Sequence, residues 1–345
     1  MNEESLTYKD AGVDIDAQNS ALALARDAIR STFTAGVLGD VGLFGGLFDP
    51  ARVGCADQIL VASADGVGTK LEVAARAGVY DTVGRDLVNH CINDVLVQGA
   101  RPLFFLDYVG TGRLEPEVVA ALIRGCAAAC KEGGLALLGG ETAEMPGLYR
   151  PGDFDLVGFL VGAVPRELLL DGSRVEPGQL LLGLGSSGLH TNGYSLARKI
   201  VFERLGLALD ARPAELEGRS VAEALLAPHR SYLALLAPLV EAKRLAAMAH
   251  ITGGGLADNL ARVLGACDAT IDLDAWRPPA LFRWLCAAGG LERDEAYRAF
   301  NMGIGMVLVV PPDEAPAVRA HLAARGETVF ELGRTEPGGG VVRWG

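Results

Sequence analysis

Lysine is scarce in this chain. Among 345 residues it occurs only at positions 9, 70, 131, 199 and 243, and 31 lysines and arginines stand against 43 aspartates and glutamates, a net charge of −12. That balance argues against nucleic acid or an anionic membrane surface as a main partner. A phosphorylated small molecule stays open as a ligand if carboxylates recruit Mg2+ to bridge to it. Long apolar runs are missing too, since none approaches the roughly 18 residues of a membrane span. The start, Met1-Asn-Glu-Glu-Ser5, is polar and acidic and reads as no signal peptide. The cysteines at 55, 91, 126, 130, 267 and 286 include no Cys-x2-Cys pair, so they read as buried free thiols of a cytoplasmic protein. No Gly-x4-Gly-Lys-Ser/Thr loop occurs, which excludes that form of phosphate loop.

Half of the residues are apolar and 45 are glycine, without a short period. A large core with many tight corners follows, and the length suits two domains. Strand-like and helical stretches alternate throughout, which reads as two domains of mixed α/β type with a boundary between residues 165 and 178. A helix is expected over 19–33, another over 86–99 and a third over 115–131. Strands are expected over 102–109, 155–164, 307–310 and 329–333. Residues 221–248 read as helical with breaks near Pro228 and Pro238.

The stretch 59–78 carries the first chemical signal. An apolar run, Ile59 to Val61, leads into the corner Asp65-Gly-Val-Gly-Thr-Lys70, and a helical pattern follows. Gly66 and Gly68 let the backbone approach a ligand and take positive φ where needed. Amides at the start of the following helix point at an anion. Asp65 suits a metal, Thr69 a phosphate oxygen and Lys70 a phosphate charge; a purely structural corner has the same sequence. The acidic segment Asp10 to Asp16 suits an arm closing on a cationic or metal-bound ligand, or a solvated tail. On the helix 86–99, Asp86, Asn89, His90, Asn93 and Asp94 form a polar stripe, which faces solvent unless something else supports a site there.

Gly183-x-Gly185-x-x-Gly188 has the spacing of a dinucleotide fingerprint. It lies mid-chain, outside clear βαβ repeats, and Thr191-Asn-Gly-Tyr194 delays the next helix, so NAD is not the ligand this pattern favours. Taken together, the glycine corners and Asp65, Asp94, Glu141 and Glu144 form a hard-cation set. His190 lies in an open Gly/Ser-rich loop, with Ser187 and Asn192 beside it, as a proton-transfer group or a structural histidine. The residues alone point to a Mg2+–phosphate enzyme.

Several motifs in order resemble one family. These are Tyr8-Lys-Asp-Ala-Gly-Val-Asp-Ile-Asp16, Asp65-Gly-Val-Gly-Thr-Lys70, Asn93-Asp-Val-Leu-Val-Gln-Gly-Ala100, Pro102-Leu-Phe-Phe-Leu-Asp-Tyr108, Gly139-Gly-Glu-Thr-Ala-Glu-Met-Pro-Gly147, Ser186-Ser-Gly-Leu-His-Thr-Asn-Gly-Tyr-Ser195 and Thr252-Gly-Gly-Gly255. Over residues 8–335 they are similar to the phosphoribosylformylglycinamidine cyclo-ligase, or aminoimidazole ribonucleotide synthetase, family of purine biosynthesis. The resemblance implies a cytoplasmic homodimer. It implies an N-terminal domain, 1–165, whose antiparallel sheet forms a barrel across the dimer, and a C-terminal α/β domain, 166–345. It implies ATP and Mg2+, with Asp65, Asp94 and Glu141 on the metal. Asp14, Asp65, Gly66, Gly68, Thr69 and Lys70 are placed on the nucleotide, Ser187 and Asn192 on the substrate, and His190 and Lys70 in catalysis. Arg26 stands where some relatives carry a nucleotide-associated lysine and is left off that list. Relatives in the same superfamily fit less well. A selenophosphate synthetase wants a reactive residue near the start, but the first cysteine is Cys55. The hydrogenase-maturation relative wants a C-terminal cysteine, but this chain ends Arg343-Trp-Gly. Formylglycinamidine ribonucleotide synthetase is usually longer and lacks this N-terminal arm, and thiamine monophosphate kinase lacks this form of the Glu141–Gly147 corner. A nucleotide-binding scaffold without activity would lack the carboxylates or His190, and all are present.

Overall fold

In the computed structural model, residues 15–38 and 48–345 are described. Asp14, Asp10 and the rest of the acidic arm before residue 15 lie outside these residues, as does the glycine-rich stretch 39–47. The chain packs into two compact units. One comprises Met1–Ala56, Ala62–Cys91 and Pro102–Val161; the other comprises Asp57–Val61, Ile92–Arg101 and Gly162–Gly345. No helix among the described residues is long and apolar enough to cross a membrane.

The N-terminal half builds a four-stranded sheet in the order β1-β4-β2-β3, from β1 (Ile59–Gly66), β2 (Arg101–Thr111), β3 (Ala136–Glu144) and β4 (Phe154–Val164). Four helices accompany it: α1 (Ile15–Arg30), α2 (Lys70–Ala77), α3 (Asp81–Leu96) and α4 (Pro116–Gly133). The limits of α4 follow from its sequence. Pro116 occupies the first turn, where its missing N–H costs nothing. Gly134 closes the other end at φ 69°, donating to the carbonyls of Cys130 and Lys131. The helix buries Val119, Leu122, Ile123 and Cys126 and packs against α1 and β3. Because α4 carries the chain back along its own length, β2 and β3 pair in parallel, with a register shift between Phe105 and Leu106. This corrects the expectation of an antiparallel sheet, which fails at the β2–β3 pair.

The C-terminal half builds a six-stranded sheet in the order β10-β7-β9-β5-β8-β6. Its strands are β5 (Leu180–Gly185), β6 (Ala247–His250), β7 (Cys267–Ile271), β8 (Ile304–Val310), β9 (Val329–Pro337) and β10 (Val342–Trp344). Its helices are α5 (Tyr194–Arg198), which runs on as a π-helical turn over Lys199–Arg204, α6 (Val221–Leu225), α7 (Leu233–Glu241), α8 (Gly255–Ala261), α9 (Ala280–Gly289), α10 (Arg293–Ala299) and α11 (Ala315–Ala323). Alternate residues of the central strands face opposite cores. Leu180, Leu182, Leu184, Met306 and Leu308 meet the leucines of α7, while Leu181, Val307 and Val309 meet Leu256 and Leu260 of α8. Burial on both faces makes these strands continuous apolar runs. The pairing itself is antiparallel for β5–β8, β5–β9, β6–β8 and β7–β9, and parallel only at β10–β7. The expected fold class, α+β or α/β in two domains, therefore holds in its mixed helix and sheet content, and the strand direction it left open is mostly antiparallel here. Residues 247 and 248, at the end of the stretch expected to be helical, open β6 instead, because Ala247 to His250 are all buried and pair with β8.

Candidate active site

In the N-terminal unit the corner after β1 takes the expected form. Gly68 has φ 70°, and Leu71 and Glu72 start α2 by bonding back to the carbonyls of Gly68 and Thr69. Gly68 and Thr69 are exposed and line a cavity of about 620 Å³ together with Glu72, Arg76, Tyr149 and Asp153. Gly66 lies at the end of β1, beside Asp65. Lys70 does not line this cavity. It is fully buried, with Nζ 2.6 Å from Oδ2 of an equally buried Asp86. Burial pulls its pKa down and Asp86 pulls it back up. This corrects the assignment of Lys70 to phosphate and catalysis: its position at the start of α2 turns the side chain inward onto α3. The exposed cation lining this cavity is Arg76, nearly two turns after Thr69 along the same helix, which the sequence reading did not single out.

The polar stripe of α3 faces inward, against the solvent-facing reading. Asp86 and Asn93 are fully buried and His90 is 4 % exposed. His90 Nε2 lies 3.0 Å from Oδ2 of Asp65, which keeps about a third of its side chain open. Glu141 on β3 is exposed. Glu144 instead accepts the backbone N–H of Leu114 at 2.7 Å and has a structural task. Among the described residues, Asp65 and Glu141 do not belong to a group of three or more convergent metal-ligand side chains. Both are hard oxygen donors with open surface, which fits Mg2+ held partly through water.

In the C-terminal unit the last turn of α3, the loop after β5, the loop before α7 and the end of β6 meet in one buried polar cluster. The break at Pro228 releases the chain from α6 and places His229, Arg230 and Tyr232 in this cluster. His190 is 1 % exposed, not in an open loop as expected. Its φ of 61° is unusual for a side-chain-bearing residue and marks a constrained backbone. Its Nε2 accepts the backbone N–H of Ser187 at 3.2 Å. Its ring stacks on His229, centroids 3.9 Å apart and planes within 13°. Gly305 passes directly beneath, where a Cβ would lie 2.6 Å from the His190 ring and 2.1 Å from the Tyr232 hydroxyl, so only glycine fits. His229 Nε2 lies 3.1 Å from Nε2 of His250, and His250 Nδ1 lies 2.8 Å from Oδ1 of Asp94. That bond gives Asp94 a part in orienting His250, alongside its expected place on the metal. Ser187 donates to the carbonyl of Pro228 at 2.6 Å, and half-buried Asn192 reaches the hydroxyl of Thr191 at 3.4 Å. His229 and His250 were absent from the sequence reading. The motif Thr252-Gly-Gly-Gly255, two residues after His250, was the available signal for the second of them.

The fingerprint Gly183-x-Gly185-x-x-Gly188 is not a dinucleotide loop in this fold. Gly183 lies inside β5, paired antiparallel with Val307 on one side and Phe330 on the other, and α5 begins only at Tyr194.

Comparison with known proteins places these features. Residues 48–164 match the model of the AIR synthase related protein, N-terminal domain, and residues 176–345 match that of the AIR synthase related protein, C-terminal domain. A phosphoribosylformylglycinamidine cyclo-ligase of Geobacter sulfurreducens is 49% identical over 346 residues, covering 99% of this chain and 99% of the relative. Among solved structures, thiamine-monophosphate kinase from Stenotrophomonas maltophilia K279a shares the fold with a TM-score of 0.72 at 22% identity, over 94% of this chain and 95% of that one. The hydrogenase maturation protein HypE in complex with ATP does so with a TM-score of 0.66 at 19% identity, over 97% of this chain and 93% of that one. Near-complete correspondence at 49% identity settles the grouping: the chain belongs to the AIR synthase related family and, within it, to the phosphoribosylformylglycinamidine cyclo-ligases.

Proposed function

We propose that this enzyme closes an imidazole ring at the expense of ATP. The formyl oxygen of formylglycinamidine ribonucleotide attacks the γ-phosphate, phosphate leaves from the same carbon, and an amidine nitrogen takes its place. The products are aminoimidazole ribonucleotide, ADP and phosphate, in purine biosynthesis. The observation that carries this reading is the 49% identity with a named cyclo-ligase along 99% of both chains.

The residues divide the work by chemistry. Gly66, Gly68 and Thr69 receive the nucleotide phosphates at the start of α2, with Arg76 as the neighbouring charge; Asp14, outside the described residues, is assigned to the nucleotide by the family resemblance alone. Asp65 and Glu141 would hold Mg2+, with His90 fixing Asp65 in place. Bound there, Mg2+ neutralises and aligns the phosphate oxygens. Ser187 and Asn192 contact the ribonucleotide substrate. His190 exchanges the proton of ring closure from a water-poor setting, where a positioned acid or base contributes roughly 10² to 10⁴ in rate. This reading takes 1–165 as the nucleotide and dimerisation domain and 166–345 as a C-terminal α/β domain that supplies His190, His229 and His250.

A homodimer accompanies this reading. Strand β4 alternates buried Leu156, Gly158 and Leu160 with more open Val157, Phe159 and Val161, and Phe159 is 49% exposed. Leu60 of β1 is 61% exposed. An open apolar sheet face calls for a cover, and the matching face of a second copy, closing a barrel, supplies one. A cytoplasmic location fits the free thiols.

Incubation with formylglycinamidine ribonucleotide, ATP and Mg2+ tests the function. Aminoimidazole ribonucleotide and ADP in equal amounts are expected. Consumption of ATP only when thiamine monophosphate replaces the substrate would move the chain to the kinase branch of the fold.

A further inference from the structure

We propose that His229 is a positioning residue whose tautomer is set by Asn93, and that it holds both His190 and His250 in working orientation. The inference rests on the reading of His190 as the proton-transfer group, and it adds a residue which that reading does not contain.

The hydrogen bonds determine which atoms carry protons. The backbone N–H of Tyr232 donates to Oδ1 of Asn93 at 3.0 Å, and Nδ2 of Asn93 donates to the carbonyl of Arg230 at 2.9 Å. Two backbone groups of opposite kind thus fix which end of the amide is oxygen. The second N–H of Asn93 is left for His229 Nε2, 3.1 Å away. Nε2 of His229 is therefore an acceptor, and its proton sits on Nδ1, facing the hydroxyl of Thr191 at 3.4 Å. The same Nε2 also lies 3.1 Å from Nε2 of His250, so His229 packs directly against that ring. The far nitrogen of His250 is held by Asp94, so both ends of that ring are oriented. On its other side His229 is the flat support for His190, ring on ring at 3.9 Å. His229 is fully buried, and its contacts converge on the two histidines of the cluster.

Nitrogen-15 spectra of the histidine rings in the full-length protein test the tautomer. The chain has only five histidines, at 90, 190, 229, 250 and 321, so assignment by substitution is practical. His229 is expected to show a protonated Nδ1 and an unprotonated Nε2 at neutral pH. Asn93→Asp replaces the donor by an acceptor and is expected to move the proton of His229 to Nε2. A protonated Nε2 on His229 in the unaltered protein would overturn the proposal. Kinetics supply the second arm. His229→Leu should lower kcat by about tenfold or more, a fraction of the acid–base contribution, with KM for both substrates little changed. His229→Gln, which can offer an amide oxygen near Nε2, should recover part of the loss. A lowered melting temperature with unchanged kcat per folded molecule in His229→Leu would make the residue merely structural and sink the proposal. Should the unaltered protein show the expected tautomer and yet make no aminoimidazole ribonucleotide, the functional reading fails while the tautomer assignment stands.

Discussion

The ammonium of Lys70 lies 2.6 Å from the carboxylate of Asp86, and neither side chain has any exposed surface. Removing one member of a buried pair leaves an uncompensated charge, which costs about 3–5 kcal/mol. Lys70→Met is therefore expected to lower stability to chemical denaturation by that amount, and Lys70→Met with Asp86→Leu to regain much of it. A Lys70→Met protein as stable as the original but unable to use ATP would return Lys70 to the nucleotide.

Asp107 on β2 gives the protein a distinct pH response. It is 7% exposed, and burial raises its pKa to about 7 against the opposing effect of a backbone hydrogen bond. The thiols of Cys126 and Cys130 are pushed up by their own burial and by Asp107, so they stay neutral and add no negative charge beside it. Unfolded, the same carboxyl titrates near 4. Between those values the folded chain holds a proton that the unfolded chain has released, so this group's stabilising contribution is complete at low pH and is lost as pH rises to about 7. Asp107→Asn should remove that slope and raise the melting temperature at pH 8 by a few degrees, the effect of about 1–2 kcal/mol at this size. Equal melting shifts at pH 5 and pH 8 would show that the carboxyl does not titrate in this window.

Thr69 and Arg76 share the cavity beside the first turn of α2. Thr69→Val and Arg76→Gln are each expected to raise the KM for ATP about tenfold while leaving turnover at saturation near its original value, the pattern of lost ground-state binding. Unaltered ATP dependence in both would remove this cavity from the nucleotide site.

His190 is best probed with asparagine, which tolerates the left-handed backbone that the residue adopts at φ 61°. His190→Asn should reduce turnover by roughly 10² to 10⁴. Because the ring is buried and stacked, a drop in melting temperature should accompany the loss, and activity must be compared per folded molecule. Full activity in the folded fraction would leave His190 a structural residue.

Phe159 projects from the open face of β4. Phe159→Glu is expected to convert a dimer into monomers in sedimentation at micromolar concentration. An unchanged mass would place the subunit contact elsewhere.

Local chemistry set much of this molecule directly. Pro116 and Gly134 bound α4, and the corner 65–70 turns strand into helix with Gly68 at positive φ, because a missing N–H and a missing Cβ act within a few residues. The motifs from residue 8 to 335 likewise carried the family. Tertiary packing decided the rest. Apolar runs such as β5 and β8 report burial on both faces and nothing about direction, so the antiparallel pairing emerged only with the fold. The polar stripe of α3 looked solvent-facing because its partners were invisible: Asn93 meets His229 across 136 positions of sequence. Lys70 read as a phosphate ligand until Asp86 appeared beside it. Sequence periodicity tells which side chains leave water. Which ones they meet depends on distant segments brought together, and in the low-dielectric interior those meetings determine where charges and protons reside.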